Sequence, residues 1–306
     1  MIDIKNLTKK FGNITAVEEL TFHVEEGEVF GYLGPNGAGK TTTVRMLSCL
    51  ISKTSGDARI DGYDIGNKAD SLKIRKIIGL VPDEVGLYDD LSAYKNLDFY
   101  GKLYGCTEAK RKDSIEHFLK MFELWDKKDL PVGTFSKGMK KKVAIARALV
   151  HDPKILFFDE PTANLDPESS KTVRDIILEL KKEKKTIFLN THNLDEAQRI
   201  CDRIGILKTR LLTIGTPEQM EESFWGIKTV IQLEKVKDSI VEAVKRLKPK
   251  NVVIDGNRLI IDVVSAEKEN PGYVQAIASA GGNIQSVTEL RPSLEDIYLK
   301  IVNEEK

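Results

Sequence analysis

Gly34, Gly39, Lys40 and Thr41 combine residue types and spacing that point to phosphate chemistry. Four residues separate the glycines, and lysine and threonine follow at once, in the pattern G-x-x-x-x-G-K-[ST] of a phosphate-binding loop. Glycines let successive backbone N–H groups turn inward around a β-phosphate, and a helix opening behind them adds partial positive charge. The stretch Gly34, Pro35, Asn36, Gly37, Ala38, Gly39, Lys40, Thr41 and Thr42 is therefore the expected cradle. In it Lys40 reaches the β- and γ-phosphates, and the Thr41 hydroxyl is offered to Mg²⁺. A second station is ILFFDEPT at 155–162, where four apolar residues run into Asp159 and Glu160. A buried strand there would carry Asp159 to its end to hold Mg²⁺ through a water. Glu160 would then orient or deprotonate an attacking water. Together the two stations imply a site for a nucleoside triphosphate and its metal.

The surrounding elements must position these groups. An apolar strand over Val29–Leu33 feeds the loop, and a helix beginning near Lys40 leaves it. Residues 2–30 alternate apolar and polar, as half-buried antiparallel strands do. A helix near 70–76 and a strand at 77–81, ended by Pro82, follow. Residues 88–150 read as helical. Ile115, Phe118, Leu119 and Phe122 fall on one amphipathic face, and a second apolar helix runs from Val143 to Val150 behind FSKGMKKK. Then strands alternate with helices again: 155–159, a helix opened by Asp166-Pro167, 186–190 and 205–208. That rhythm predicts a largely parallel sheet covered on both faces, an α/β fold. A polar link, TPEQMEES, leads into a smaller unit whose order βαββαβ predicts a ferredoxin-like α+β domain without a catalytic constellation.

Composition narrows the class. The 306 residues hold 47 Lys+Arg against 47 Asp+Glu, so no excess positive charge draws the chain to nucleic acid, and none is expected as a partner. Cys49, Cys106 and Cys201 are odd in number and far apart, which suits reduced cytosolic thiols better than a disulfide frame or a zinc site. The start MIDIKNLTKKF is too polar for a signal peptide, and no apolar run approaches the ~18–20 residues that span a bilayer. Any membrane role must come through a partner.

The segment FSKGMKKKVAIARALVHDPKILFFDEPTANLD, followed by NTHNLDEAQRICDRIGIL, resembles an ABC-type ATPase, over residues 2 to about 220. The C-terminal unit and its PSLEDIYLKIV ending resemble the drug-exporter (daunorubicin-resistance-like) branch. The resemblance implies a P-loop NTPase cassette over 1–220. It has a RecA-like core, an antiparallel β subdomain and a helical subdomain at about 88–150, and 221–306 forms an accessory domain. It implies ATP and Mg²⁺ bound between two head-to-tail cassettes. Phe11 takes the place of the aromatic that stacks on adenine, with Val17 packed beside it. Ser136 and Gly138 match the signature residues that reach the partner's γ-phosphate, and a helix opening at Ser136 suits that role. Asn164, Leu165 and Asp166 match the loop that crosses the dimer interface, and His192 matches the switch histidine beside the catalytic Glu160.

Two positions depart from the family pattern. Asp83 replaces the usual glutamine; its carboxylate offers an oxygen to Mg²⁺ but adds charge beside phosphates, and a surface position facing a partner protein is the other reading. The usual signature L-S-G-G-Q is written F-S-K-G-M, so that Lys137 either approaches the γ-phosphate or points to solvent. The run Lys140–Lys142 reads as a solvated helix face.

The expected function is the ATP-hydrolysing subunit of an ABC transporter. It would be peripheral on the cytoplasmic face of the membrane, with residues 83–100 receiving a separate integral membrane subunit that moves the substrate outward. The rival is a soluble ABC-type ATPase acting on ribosomes or DNA. Against it stand a single cassette, no coiled-coil insertion, no zinc-like cysteine cluster and balanced charge. A non-hydrolysing module is disfavoured by Glu160 and His192. The C-terminal unit is expected to pair with its copy or to regulate the cassette.

Overall fold

The computed structural model describes residues 1–225, 227–290 and 293–304, and the chain divides into two units, Met1–Thr216 and Pro217–Lys306. In the first unit the alternating N-terminal stretches form a hairpin. β1 (Ile2–Phe11) and β2 (Ile14–Val24) pair antiparallel with Ile2 opposite Val24 and Phe11 opposite Ile14. Phe11 is thus the last residue of a strand, next to the turn. β3 (Val29–Leu33) is buried at every residue, and α1 (Lys40–Leu47) follows the glycine loop. β4 (Ser55–Ile60) and β5 (Tyr63–Asp64) complete a four-stranded sheet in the order β2-β1-β4-β5. Next come α2 (Lys68–Ile77), capped by the Asn67 side chain, and β6 (Ile78–Val81).

The helical region holds α3 (Ala93–Leu103), α4 (Glu108–Met121) and α5 (Lys137–Leu149). Each opens on a hydroxyl N-cap: Ser92, Thr107 and Ser136 accept the N–H three residues on, satisfying a donor that the helix itself leaves free. On α4 the predicted face turns inward, with Ile115 and Leu119 wholly buried beside Phe122. The α/β rhythm resumes with β7 (Ile155–Asp159), α6 (Pro167–Lys182), β8 (Thr186–Thr191), α7 (Leu194–Ile200), β9 (Arg203–Lys208) and β10 (Arg210–Gly215).

The six strands of the larger sheet run β10-β9-β3-β8-β7-β6, parallel from β9 to β6, with β10 antiparallel at one edge. The two sheets join through aromatic rings. Phe22 of β2 stacks on Phe30 of β3 at 5.2 Å, and Phe188 of β8 lies 5.0 Å from Tyr32 and 5.6 Å from Phe157. β8 lies between β3 and β7, so the phosphate loop, the acid pair and His192 all leave the carboxyl ends of adjacent strands. That is where open α/β sheets gather their ligand sites.

The second unit begins with a helix. The TPEQMEES stretch, expected as a polar link, instead forms α8 (Pro217–Trp225), with proline in its first turn and Met220 buried. β11 (Ile227–Leu233), α9 (Asp238–Arg246), β12 (Val252–Asp255), β13 (Arg258–Val263), α10 (Ala266–Ser279), β14 (Ile284–Leu290) and α11 (Leu294–Glu304) follow. The antiparallel sheet has the order β12-β13-β11-β14, as a βαββαβ split unit requires. Ile240, Val244, Tyr273 and Ile277 of the two helices close its core against Ile231, Leu259 and Ile261. α10 starts at Ala266 and carries Pro271 inside it. The Glu269 carboxylate accepts the N–H groups of Val264 and Ser265 at 2.8 and 3.0 Å, which secures the turn that proline would discourage. Pro292, the first residue of PSLEDIYLKIV, lies outside the described residues.

Candidate functional site

The phosphate loop is held open by backbone geometry. Gly39 precedes α1 with φ +96°, in the left-handed region, and a Cβ there would lie 2.2 Å from the Ala16 carbonyl oxygen. Only glycine fits both demands. No side chain caps α1, so the N–H groups of its first turn stay directed at the loop. Lys40 folds back inside. It is 6% exposed, and its ammonium donates to Gly34 O at 2.8 Å and Pro35 O at 3.2 Å, with Glu160 Oε1 4.0 Å away. Burial lowers the Lys40 pKa, while the charges of Glu160 and Asp159 oppose that shift.

Asp159 ends β7 in a largely buried position. Its Oδ1 accepts from Thr41 Oγ1 at 3.3 Å and from the Asn190 amide. Burial pushes its pKa up, and the two hydrogen bonds pull it down. Glu160 takes a left-handed φ of +50° and donates its N–H to Asn190 O at 2.8 Å. Its Oε2 then meets His192 Nδ1 at 2.8 Å and His192 N–H at 3.4 Å. The catalytic pair predicted from sequence is therefore in direct contact, with Glu160 half-enclosed and His192 open to solvent.

Thr41 and Asp159 suit Mg²⁺: a hydroxyl and a desolvated carboxylate bring two hard oxygens together. Among the described residues no three His, Cys, Asp or Glu side chains converge on a metal position. Mg²⁺ tolerates that, since it keeps waters and takes phosphate oxygens. Asp83 does not join the cluster. It is exposed on the loop after β6, and no hydrogen bond ties its carboxylate to Thr41 or Asp159; its charge is felt at Asp159 through space.

The signature residues lie elsewhere. Ser136 is exposed, and its Oγ accepts Met139 N–H at 3.2 Å, which leaves the hydroxyl proton free to donate. Gly138 is buried under Ser169 of α6, and Ser169 is pinned to Asp166, the N-cap of that helix. No hydrogen bond joins Ser136 to the phosphate loop of its own chain. Phe11 is 49% exposed, with the Lys9 ammonium 4.8 Å from its ring centre. Val17, expected beside it at the base, is instead wholly buried and packs behind Gly39. It can approach the loop this closely because Gly39 has no side chain to keep it off.

Three contributors were missed by the sequence reading. Asn190 links Asp159 to the Glu160 backbone, and only its place at the end of β8 could have suggested it. Glu196 sits at the third position of α7 behind the N-cap Asn193, a capping-box spacing that was readable. Its carboxylate turns instead to Thr162 Oγ1 at 2.8 Å and Thr191 Oγ1 at 3.3 Å, tying the segment after Glu160 to the one before His192. Lys141 corrects the solvated-face reading of Lys140–Lys142. It is 3% exposed and donates to Asp83 O and Pro82 O at 3.1 and 3.4 Å. Position 141 falls on the inner side of α5 with Gly138 and Ile145, where the run of three lysines masked the helical period.

The chain matches the family model described as ABC transporter over residues 17–163. It is 34% identical to the linearmycin resistance ATP-binding protein LnrL of Bacillus subtilis (strain 168), covering 98% of each chain. It is 30% identical to the daunorubicin resistance ATP-binding protein DrrA3 of Streptomyces coeruleorubidus, over the whole of this chain and 96% of the relative. Among solved structures, it resembles a dimeric ATP-binding cassette, MJ0796, in a post-hydrolysis state bound to ADP and Pi. The TM-score is 0.65 at 29% identity, over 71% of this chain and 98% of that one. The chain belongs to the ATP-binding subunits of ABC transporters, close to their drug-resistance members, and is an ATPase of that family.

Proposed function

We propose that two cassettes close head to tail around two Mg·ATP and drive export through a separate membrane subunit. One observation carries the reading: a single chain holds a complete phosphate loop and acid pair, yet Gly138 packs against α6 and Ser136 caps its own helix, which leaves the chain's own phosphate loop unserved. A second cassette supplies what is missing, and the dimeric ADP–Pi relative supports this arrangement. In it Lys40 and the N–H groups of α1 hold the phosphates, and Ser136 of the other copy donates to the γ-phosphate. Mg²⁺ held by Thr41 and Asp159 would neutralise charge on the β- and γ-phosphates. Glu160 accepts the proton of the attacking water, and His192 fixes the Glu160 carboxylate. The bond from the γ-phosphorus to the bridging oxygen breaks, leaving ADP and phosphate.

Among the described residues no helix is long and apolar enough to cross a membrane, and on this reading a separate chain forms the passage. The surface after Asp83 suits it. Tyr88 and Phe99 are exposed and meet edge to face at 5.3 Å, with Tyr100 beside them. Such a rigid aromatic patch favours a partner helix. On this reading the protein works at the cytoplasmic face, with residues 217–306 as an accessory domain. The names of the drug-resistance relatives support outward transport. The test is a Glu160→Gln pull-down from detergent-solubilised membranes with Mg·ATP. A polytopic membrane protein recovered in equal copy number is expected; recovery with ribosomes or DNA from the soluble fraction would refute the transporter reading.

A further inference from the structure

Lys141 is an unusual residue to find 3% exposed, because burying an ammonium is costly unless charge compensates it. Its hydrogen-bond acceptors are two carbonyls, of Pro82 and Asp83, at the point where the chain leaves β6 for the Asp83 loop. The compensating charges are carboxylates. Burial lowers the Lys141 pKa, while Asp83 first, then Asp159 and Glu160, act against that shift; Arg147 adds repulsion. Arg147, also on α5, donates to Leu80 O, Val85 O and Gly86 O at 2.7–3.3 Å. Two cations of α5 thus strap the loop from Leu80 to Gly86, and Lys141 is the one that holds the carbonyl of Asp83 itself.

We propose that Lys141 is a positioning residue which fixes the Asp83 loop and supplies a buried positive charge behind Asp83, offsetting that aspartate's charge towards a bound nucleotide. The proposal rests on the reading that the Asp83 loop faces the bound nucleotide. A bare aspartate there would repel the phosphates; a fixed ammonium behind it offsets part of that field while leaving its oxygens available. A strap that only needed a hydrogen-bond donor would be served equally by a neutral amide.

The difference is measurable by calorimetric titration of the full chain with Mg²⁺ and a non-hydrolysable ATP analogue, with thermal melting to verify folding. Lys141→Gln keeps a donor and removes the charge; it should weaken binding about tenfold. In an Asp83→Asn background the same change should alter binding by less than about twofold, because the charge it balanced is gone. Wild-type affinity in Lys141→Gln would overturn the proposal, leaving only a strap. An equal loss in both backgrounds would overturn it too, since Lys141 would then act independently of Asp83. Failure of both Gln variants to fold would likewise overturn it, by reducing the lysine to architecture. If Asp83→Asn alone leaves both nucleotide affinity and its Mg²⁺ dependence unchanged, it is the loop's orientation towards the nucleotide that fails.

Discussion

Gly138→Ala tests the signature helix against its own propensity. Alanine is a better helix former than glycine by up to about 1 kcal/mol, so the first turn of α5, where Gly138 is the second residue, should by itself gain. The site should nevertheless lose. A Cβ at position 138 would stand 2.2 Å from Ser169 Oγ and 2.8 Å from Ser169 Cβ, where about 3.4 Å or more is ordinary contact. Ser169 cannot step aside. Its Oγ donates to Asp166 Oδ2 at 2.7 Å and its N–H to Asp166 Oδ1 at 2.8 Å. Relief must come from parting the start of α5, with Ser136, from the start of α6, with the Asn164–Asp166 loop. Overpacking of this kind costs about 1–3 kcal/mol. Borne by the closed dimer, that is a roughly 5- to 150-fold loss in ATPase rate at fixed protein concentration, with nucleotide affinity of the single cassette unchanged. Ser169→Gly removes both clashing atoms and keeps the N–H cap, so Gly138→Ala/Ser169→Gly should recover most of the rate. Full activity in Gly138→Ala, or no recovery in the double variant, would refute the packing argument.

Asp159→Asn should raise the melting temperature of the nucleotide-free protein near neutral pH and abolish the Mg²⁺-dependent rise that nucleotide is expected to give. The folded-state pKa of Asp159 lies above its unfolded 3.8, so its charge costs stability as pH climbs through that window, and Asn removes the cost; a melting curve lowered by the substitution would contradict this. His151 acts with the opposite sign: stacked on Tyr104 at 3.6 Å and bonded to Ile78 O at 2.9 Å, it has its pKa pushed down by burial to about 4 from 6.5. Stability should fall by up to about 3 kcal/mol as pH drops from 6.5 to 4, and His151→Gln should flatten that slope in denaturant titrations; an unchanged slope would exclude His151 as its source.

Sequence by itself determined the phosphate loop, the acid pair, most of the order of strands and helices and the ferredoxin-like order of the second unit. These follow from local rules: glycine spacing, apolar runs between turns and hydroxyl caps act within a few residues. The helix α8 escaped because its polar residues outnumber the one buried methionine, and the start of α10 because Pro271 reads as a stop until Glu269 is seen to cap the turn. What only the tertiary structure decided depends on strand adjacency. With β8 between β3 and β7, Asn190 reaches Asp159 and His192 reaches Glu160 at 2.8 Å, contacts between residues more than thirty positions apart. The same packing buries Val17 behind Gly39, buries Lys141 beneath the Asp83 loop and sets Gly138 under Ser169. Burial and long-range contact decide whether a lysine is a solvated face or a fixed charge, and neither can be read from a residue's near neighbours in the chain.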